Sequence, residues 1–353
     1  MFGVGFCLGA SNVSVVKING LNGEIEQAES KAHDGNPKKV LAEYLWDKGY
    51  SQADRLAVTG RKFKEIVNLP ALSEPEATEL AYKFLKKKYP EADFIVSAGG
   101  ETFIVYKLDK YGKIINVFTG NKCASGTGEF FLQQIARMDL DVEKALELAL
   151  NQEEEYLVSG RCSVFCKSDC THALNKGVDK GKVVAGLCRM MATKIIELLE
   201  KSAEKRVWLV GGTSRNKVMV NYLKKEIQHL IIPDEAPYFE ALGAALWSLK
   251  LPEKQSLDKA KLYKVNTSSF AFLSPLKDYE ERVIFKTMER KEAKAGDRCI
   301  IGLDVGSTTT KAVILREADN AVLASEYLRT NGDPVAAARK CYVSLARQVK
   351  TDL

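Results

Sequence analysis

Short runs of alternating apolar and polar positions open the chain. Phe2–Cys7 and Val13–Ile18 flank the turn Gly9-Ala10-Ser11-Asn12, and Glu24–Ser30 follows Asn22-Gly23. An Asn-Gly pair between alternating runs is a hairpin signal, so the three segments predict a β-meander. Helical periodicity follows at about residues 37–48, a strand pattern at Arg55–Thr59 and a second helix at about residues 74–88. The succession then restarts with strands at Phe94–Ala98, Thr102–Leu108 and Ile114–Phe118, the first two separated by Gly99-Gly100. Two such starts, each with a glycine turn between its first strands, point to an internal duplication. With helices interleaved, the expected class is α/β with mixed rather than fully parallel sheets.

Beyond this duplication, Glu129–Arg137 reads as an amphipathic helix with Phe130, Phe131 and Ile135 on its apolar side. A long helix at about residues 180–201 carries Val183, Leu187, Met190, Met191, Ile195 and Leu198 along one side, its methionines read as core. Arg206–Val210 is a buried strand, Leu230–Pro233 is strand-like, and Glu240–Leu246 is a helix of small residues suited to close packing. At Cys299 the opening pattern returns. Setting Gly306 against Gly9 superposes strand, turn and second strand, and a helix over Pro334–Val349 follows Asn331-Gly332-Asp333 with proline at its first position. The expected organisation is a subdomain over 1–92, a second over 93–252, a linker or insert over 253–298 and the start of another module over 299–353, with a strand pair and a helix.

At 353 residues the chain exceeds one compact unit, and 46% hydrophobic with 28% charged residues describes an ordinary globular composition. No apolar run has the length of a membrane span, and Met1–Leu8 lacks a signal-peptide pattern, so a cytoplasmic location is expected. The net charge of +6 lies in lysine-rich helix faces such as Tyr82–Lys88 without interleaved aromatics, which favours solvated faces over a nucleic-acid surface. Eight cysteines in a reducing compartment suggest metal ligation or burial rather than disulfides.

The candidate chemistry gathers in glycine turns and cysteines. Asn121–Gly128 places Cys123, Gly126, Thr127 and Gly128 directly before a helix, where small residues admit a ligand and helix N–H groups favour an anion. Cys162, Cys166 and Cys170, spaced by four, fall along one helix face. Four cysteines are enough for an iron–sulfur cluster or a zinc ion, although the spacing matches no zinc ribbon. His172 is a further possible ligand, with a surface or cap role favoured. Cys7, Cys188, Cys299 and Cys341 lie in apolar runs and read as buried and inert. Asp304, at the end of a strand, can hold magnesium, and the turn Gly306-Ser307-Thr308 can cradle phosphate. The equivalent first turn, Gly9, Ala10, Ser11 and Asn12, follows Cys7 instead of a carboxylate. The turn Gly99, Gly100 and Glu101 follows Ser97, with Glu101 a possible substitute. Gly211, Gly212 and Thr213, with Asn216 beyond them, suit a strand-to-helix turn against a nucleotide or, alternatively, a tightly packed helix cap.

Asn121–Gly128, Arg161–Phe165, Val210–Asn216 and Ala241–Ala245, in this order and spacing, resemble the activators of 2-hydroxyacyl-CoA dehydratases and the ATPase subunits of benzoyl-CoA reductase. Asp304–Lys311 looks like that family's opening phosphate loop. The resemblance covers about residues 1–250 as one module and 300–353 as the start of another. It implies the acetate kinase/actin/heat-shock ATPase superfamily, with two RNase H-like subdomains and ATP or ADP with Mg2+ between them. It also implies a homodimer sharing one 4Fe–4S cluster, held here by Cys123 and Cys162, with an internal pseudo-dimer of tandem modules as the alternative. Such an activator takes electrons from ferredoxin or flavodoxin and delivers one low-potential electron to an acyl-CoA dehydratase or reductase. The family's two metal-binding aspartates correspond to Cys7 and Ser97, a departure that leaves the first module's hydrolysis in question. The alternatives are a degenerate pseudo-ATPase and, with no carboxylate near the turns except Glu101, a small-metabolite kinase.

Overall fold

The computed structural model describes residues 1–60, 66–120, 126–160, 162–199, 205–252, 257–264, 274, 276–284, 286 and 288–350. The chain forms two compact units. One comprises Met1–Ile135, Asp141–Lys167 and Lys180–Asn266, the other Ala136–Leu140, Ser168–Asp179 and Thr267–Leu353.

In the first unit, β1 (Phe2–Leu8), β2 (Asn12–Asn19) and β3 (Ile25–Ala32) form the expected meander. Helix α1 (Pro37–Ala42) continues into a π-helical turn over Glu43–Asp47, and β4 (Arg55–Thr59) then pairs parallel to β1. The sheet order is β3-β2-β1-β4. Helix α2 (Glu74–Leu85) opens on a capping box in which Ser73 and Glu76 satisfy each other's end of the first turn. The motif then repeats as β5 (Phe94–Ala98), β6 (Phe103–Leu108) and β7 (Ile114–Thr119). Helices α3 (Gly128–Arg137), α4 (Val142–Leu150), α5 (Ser163–Asn175) and α6 (Lys180–Leu198) come next, α3 after Ile135 and α5 after Lys167 belonging to the second unit. Then follow β8 (Arg206–Val210), α7 (Lys217–Glu226), β9 (His229–Ile231) and α8 (Phe239–Ser248). The second sheet runs β7-β6-β5-β8-β9, with β8 parallel to β5. It repeats the order of the first sheet with one strand added, so the duplication read in the sequence is a duplication of topology.

The apolar strand centres drive the packing. Trp208 is fully buried on β8 among Tyr82, Tyr89 and Phe239, with ring centroids 4.9, 5.8 and 6.3 Å away, and its indole N–H donates to the Pro90 carbonyl at 2.9 Å. Such edge-to-face rings combine a large buried apolar area with favourable quadrupole contacts. Helix α8 packs against β1, β2, β4 and α2. It approaches this closely because two contacts lack a side chain. A Cβ on Gly5 of β1 would run into the backbone of Ala241 and Ala245, and one on Gly243 into the backbone of Ala77.

Part of the segment after α8, read in the sequence as a linker or insert, packs on the first sheet. Leu262 is buried in the core of the first sheet, Asn68 N–H donates to its carbonyl at 2.7 Å, and Tyr263 Oη donates to the Lys38 carbonyl at 2.6 Å. Its lysine-rich sequence hides this, since the apolar contact rests on Leu257, Leu262 and Tyr263, with the Lys261 carbonyl and Lys264 N–H adding backbone bonds to Asn68 and Ile66.

In the second unit, β10 (Cys299–Val305), β11 (Thr309–Arg316) and β12 (Val322–Arg329) form an antiparallel sheet covered by α9 (Pro334–Val349). Ala312, Ile314, Leu323, Ala324, Cys341 and Leu345 form its core. Strand β12 is absent from the sequence expectation of a strand pair and a helix. Ser325 and Glu326 interrupt its apolar pattern, and pairing with β11 supplies the order that alternation does not.

One constant offset carries the start of the first unit onto this sheet. Gly9 N–H donates to the Asn12 carbonyl at 2.9 Å, and Gly306 N–H to that of Thr309 at 3.0 Å. The register shifts between Lys17 and Ile18 and, correspondingly, between Ile314 and Leu315. Gly23 and Asn320 take left-handed φ values of 76° and 54°, and Asn36 and Asp333 cap α1 and α9. The difference lies at the outer edge. Where β1 is interior, β10 is exposed along its whole length.

This contrast sets a prediction. Gly5→Ala is expected to destabilise the first unit by about 2 kcal/mol or more through overpacking. Gly302→Ala, whose Cβ would meet only Val313 Cγ1 at 3.3 Å, leaves the first unit unchanged. All three tryptophans (Trp46, Trp208, Trp247) lie in the first unit, so thermal unfolding followed by tryptophan fluorescence reads the difference.

Candidate functional site

Four turns of the first unit converge where the two sheets' leading strands end. The β1–β2 turn at Gly9–Asn12 meets the β5–β6 turn at Gly99–Glu101 so closely that a Cβ on Gly100 would collide with Ser11 Oγ. The start of α3 joins them: Gly128 N–H donates to the Gly99 carbonyl at 3.3 Å and Glu129 N–H to the Gly100 carbonyl at 3.0 Å. Ser11 Oγ donates to Glu129 Oε2 at 2.8 Å, a bond between residues far apart in sequence that ties the first turn to α3. The fourth turn, Gly211–Thr213, completes the group. Thr213 Oγ1 donates to the Gly99 carbonyl at 3.4 Å, and a Cβ on Gly128 would lie 2.8 Å from Thr213 Oγ1. Gly211, at φ 92°, donates its N–H to the Ala236 carbonyl at 2.7 Å and needs the missing side chain, since a Cβ would press on the Ala98 carbonyl.

Sequence candidates from all four segments therefore meet. Gly9, Ala10, Ser11, Asn12, Gly99, Gly100, Gly128, Gly211, Gly212 and Thr213 line one region, with Asn12 Nδ2 3.9 Å from the position of a Cβ on Gly212. Glu101 is exposed on the same turn. Asn216 lies deeper. Its Oδ1 accepts from Met219 N–H at 3.0 Å, capping α7, and its amide donates to Cys188 Sγ at 3.3 Å. Thr127 Oγ1 likewise accepts from Phe130 N–H at 3.4 Å at the start of α3.

The floor of this region contains a group that motif reading passed over. Cys7 and Ser97, both half-buried, stand near the ends of β1 and β5. Glu240, in the first turn of α8, places Oε1 2.7 Å from Ser97 Oγ, which donates to it. Burial raises the Glu240 carboxyl above its ordinary range. Burial, then Glu240 and then Glu74, drives the Cys7 thiol well above its usual value. A carboxylate at the end of a strand has a motif signature; one brought in by a helix more than a hundred residues away has none.

Beside this region lies a cavity of about 570 Å3 bordered by Thr102, Thr119, Gly126, Gly160, Met190 and Lys194. A Cβ on Gly126, at φ 87°, would touch Met190 Sδ at 3.1 Å. The cavity borders the loops leading to α3 and α5, which carry the cysteine motifs. Cys123 falls outside the described residues. Cys162 is half-buried immediately before α5, and its carbonyl accepts from Cys166 N–H at 2.9 Å. Cys166 and Cys170 are buried, and among the described residues no three His, Cys, Asp or Glu side chains gather as a metal-ligand set. Cys166 and Cys170 on α5 and Cys162 just before it thus follow one another along the chain without forming a ligand set among the described residues. Val164 and Phe165, next to Cys162, are exposed apolar residues at 69% and 65%. Cys188 and Cys341 are buried as expected, whereas Cys299 is exposed on β10.

In the second unit, the Gly306–Thr308 turn stands open. Asp304 is exposed and pairs with Lys311 at 3.0 Å, while Thr330 Oγ1 donates to the Gly306 carbonyl at 2.7 Å. Ser307 and Thr308 are exposed on the turn.

Among the described residues no helix is long and apolar enough to cross a membrane. A family model described as the BadF/BadG/BcrA/BcrD ATPase family matches residues 16–248. The chain is 32% identical over 161 residues to the 2-hydroxyisocaproyl-CoA dehydratase activator of Clostridioides difficile, covering 45% of this chain and 60% of that one. It therefore spans less than two thirds of that relative. It is 27% identical over 225 residues to the (R)-2-hydroxyglutaryl-CoA dehydratase activating ATPase of Acidaminococcus fermentans, covering 62% and 85%. The structure of the Clostridium difficile activator with bound ADPNP superposes with a TM-score of 0.64 at 26% identity, covering 71% of this chain and 95% of that one.

Thiol chemistry should divide the cysteines by environment. The thiolate is the reactive form, so a raised pKa slows alkylation at any given pH. Cys188, pushed up to about 12 by burial, and Cys7 are expected to stay unmodified by iodoacetamide at pH 8, while Cys162 and Cys299 react. Peptide mass spectrometry of the folded chain checks this.

Proposed function

The chain belongs to the BadF/BadG/BcrA/BcrD ATPase family, and on that premise we propose that it is an ATP-dependent activator that passes a low-potential electron to a 2-hydroxyacyl-CoA dehydratase or a related acyl-CoA reductase. The observation that carries this reading is the junction at α3. The glycine turns join the N-terminus of α3, which follows the first cysteine motif in sequence: the Gly99 and Gly100 carbonyls and the Ser11 hydroxyl all bind Gly128 or Glu129. A ligand that reorganises the turns necessarily acts on the helix leading from the Cys123 loop.

Cys123 and Cys162 are the residues that would hold a 4Fe–4S cluster; Cys162 immediately precedes α5, a helix start whose N–H groups suit an anion, and Cys123 precedes α3 in sequence. Such a cluster supplies a single low-potential electron. A two-cysteine half-site calls for a second half, so a homodimer, or a pseudo-dimer with a second module of the same kind, is part of the proposal. The exposed Val164 and Phe165 beside Cys162 support an apolar partner surface there. Ferredoxin or flavodoxin is the proposed electron donor, and ATP or ADP with Mg2+ is the proposed ligand of the four turns. The donor set fits a magnesium ion held mainly by phosphate oxygens and water, as Mg2+ commonly is, with few protein ligands. Residues 1–92 and 93–252 are read as two RNase H-like lobes of one module, and 299–353 as the start of a second that keeps Asp304.

Reduced protein mixed with ATP and a 2-hydroxyacyl-CoA dehydratase should start dehydration. Cys123→Ala and Cys162→Ala should each lower activation by roughly 100-fold or more, since even supporting groups of metal sites act on that scale. Cys299→Ser should have little effect. Activation that needs neither cysteine would refute the redox reading and leave a nucleotide-binding regulatory module in its place.

A further inference from the structure

The four converging turns offer backbone and hydroxyl groups to a phosphate chain, but they lack one element. Magnesium bound to a nucleotide is usually held by one or two protein carboxylates together with the phosphates. Neither strand end in this cleft brings one: β1 ends at Cys7 and Leu8, β5 at Ser97 and Ala98. Among the described residues four carboxylates bear on the turns or the strand ends below them, one of which, Glu74 at the start of α2, acts on Cys7 after Glu240. Glu101 points from an exposed position on the β5–β6 turn. Glu129 is held by Ser11 Oγ at 2.8 Å and by Gln133 Nε2 at 3.3 Å, at the lip of the first turn. Glu240 reaches the floor and bonds a strand end: its Oε1 sits 2.7 Å from the Ser97 hydroxyl, and its effect on Cys7 exceeds that of Glu74.

Its position is rigidly determined. Glu240 belongs to the first turn of α8, whose depth against β1 is set by the contact of Ala241 and Ala245 with Gly5. The carboxylate therefore comes from a third element to the strand ends at Ser97 and Cys7, and among the described residues the Ser97 hydroxyl is the side chain that donates to it. We propose that Glu240 is the protein ligand for nucleotide-bound magnesium in the first unit, with Ser97 as the residue that positions its carboxylate. The inference rests on the reading that this cleft binds nucleotide, and adds the residue through which the cation is held. It also gives the first unit a different cation site from the second, where Asp304 stands at the strand end itself.

The test is ADP binding to the full chain by calorimetry, with and without Mg2+. Wild-type protein is expected to bind ADP about tenfold more tightly with Mg2+, equivalent to 1.4 kcal/mol. Glu240→Gln should bind ADP normally without Mg2+ but lose the enhancement. Glu240→Gln combined with Ser97→Asp should regain it, because the second change returns a carboxylate to the strand end; recovery also shows that the variant cleft is folded. Glu129→Gln should retain the enhancement. An undiminished enhancement in Glu240→Gln, or its loss in Glu129→Gln alone, overturns the assignment while leaving nucleotide binding intact. Wild-type protein that binds ADP without any effect of Mg2+ does the same. Failure of wild-type protein to bind ADP at all overturns the nucleotide reading and this assignment together.

Discussion

The close approach of α8 to β1 is the contact on which the first unit depends. A helix reaches this depth only where side chains are absent on both surfaces, and here Gly5 faces Ala241 and Ala245 while Gly243 faces the backbone of Ala77. The contact fastens the first sheet to α2 and holds the strand carrying the first glycine turn. It also determines where the start of α8 lies, and so places Glu240 against Ser97 at the end of the second sheet's leading strand. Core packing and site geometry are thus one constraint: a methyl group on Gly5 would displace both.

A second feature follows from how the turns are joined. The N-terminal N–H groups of a helix ordinarily require a cap, water or a ligand. At α3 those of Gly128 and Glu129 are satisfied by the Gly99 and Gly100 carbonyls, and the Glu129 side chain holds Ser11. Three segments distant in sequence are therefore connected through a few hydrogen bonds, each worth about 1 kcal/mol net. An anionic ligand competing for the same groups can exchange these bonds at small cost. The helix that responds begins just after the Cys123 loop. This is a short physical route from the proposed nucleotide cleft to the helix that follows Cys123 in sequence.

Much of the fold was legible in the sequence because its signals are local. Asn22-Gly23, the glycine turns and the Pro334 helix start mark element ends within a few residues, and the α9 span agrees with its expected bounds. The repeat was legible for the same reason, since Gly9 and Gly306 close identical turns. What escaped depends on distant partners. Strand β12 gains its order from β11 despite Ser325 and Glu326, and residues 257–264 join a core through Leu262. In the site, the glycine turns announced themselves, whereas Glu240 is an ordinary glutamate in a small-residue helix until Ser97 is seen beside it. The small-residue helix was expected to pack closely; that its first turn would carry a carboxylate into the cleft was not readable from spacing.

The membership of the chain in an ATPase family and the joining of the glycine turns to the start of α3, just after the Cys123 motif in sequence, make one proposal central: that the first unit couples its cleft to an iron–sulfur cluster. The most direct measurement is the iron and acid-labile sulfide content of protein purified without oxygen. The account predicts about two irons and two sulfides per chain, half of a four-iron cluster shared between two cysteine pairs. Protein without iron, even after anaerobic reconstitution, would contradict it.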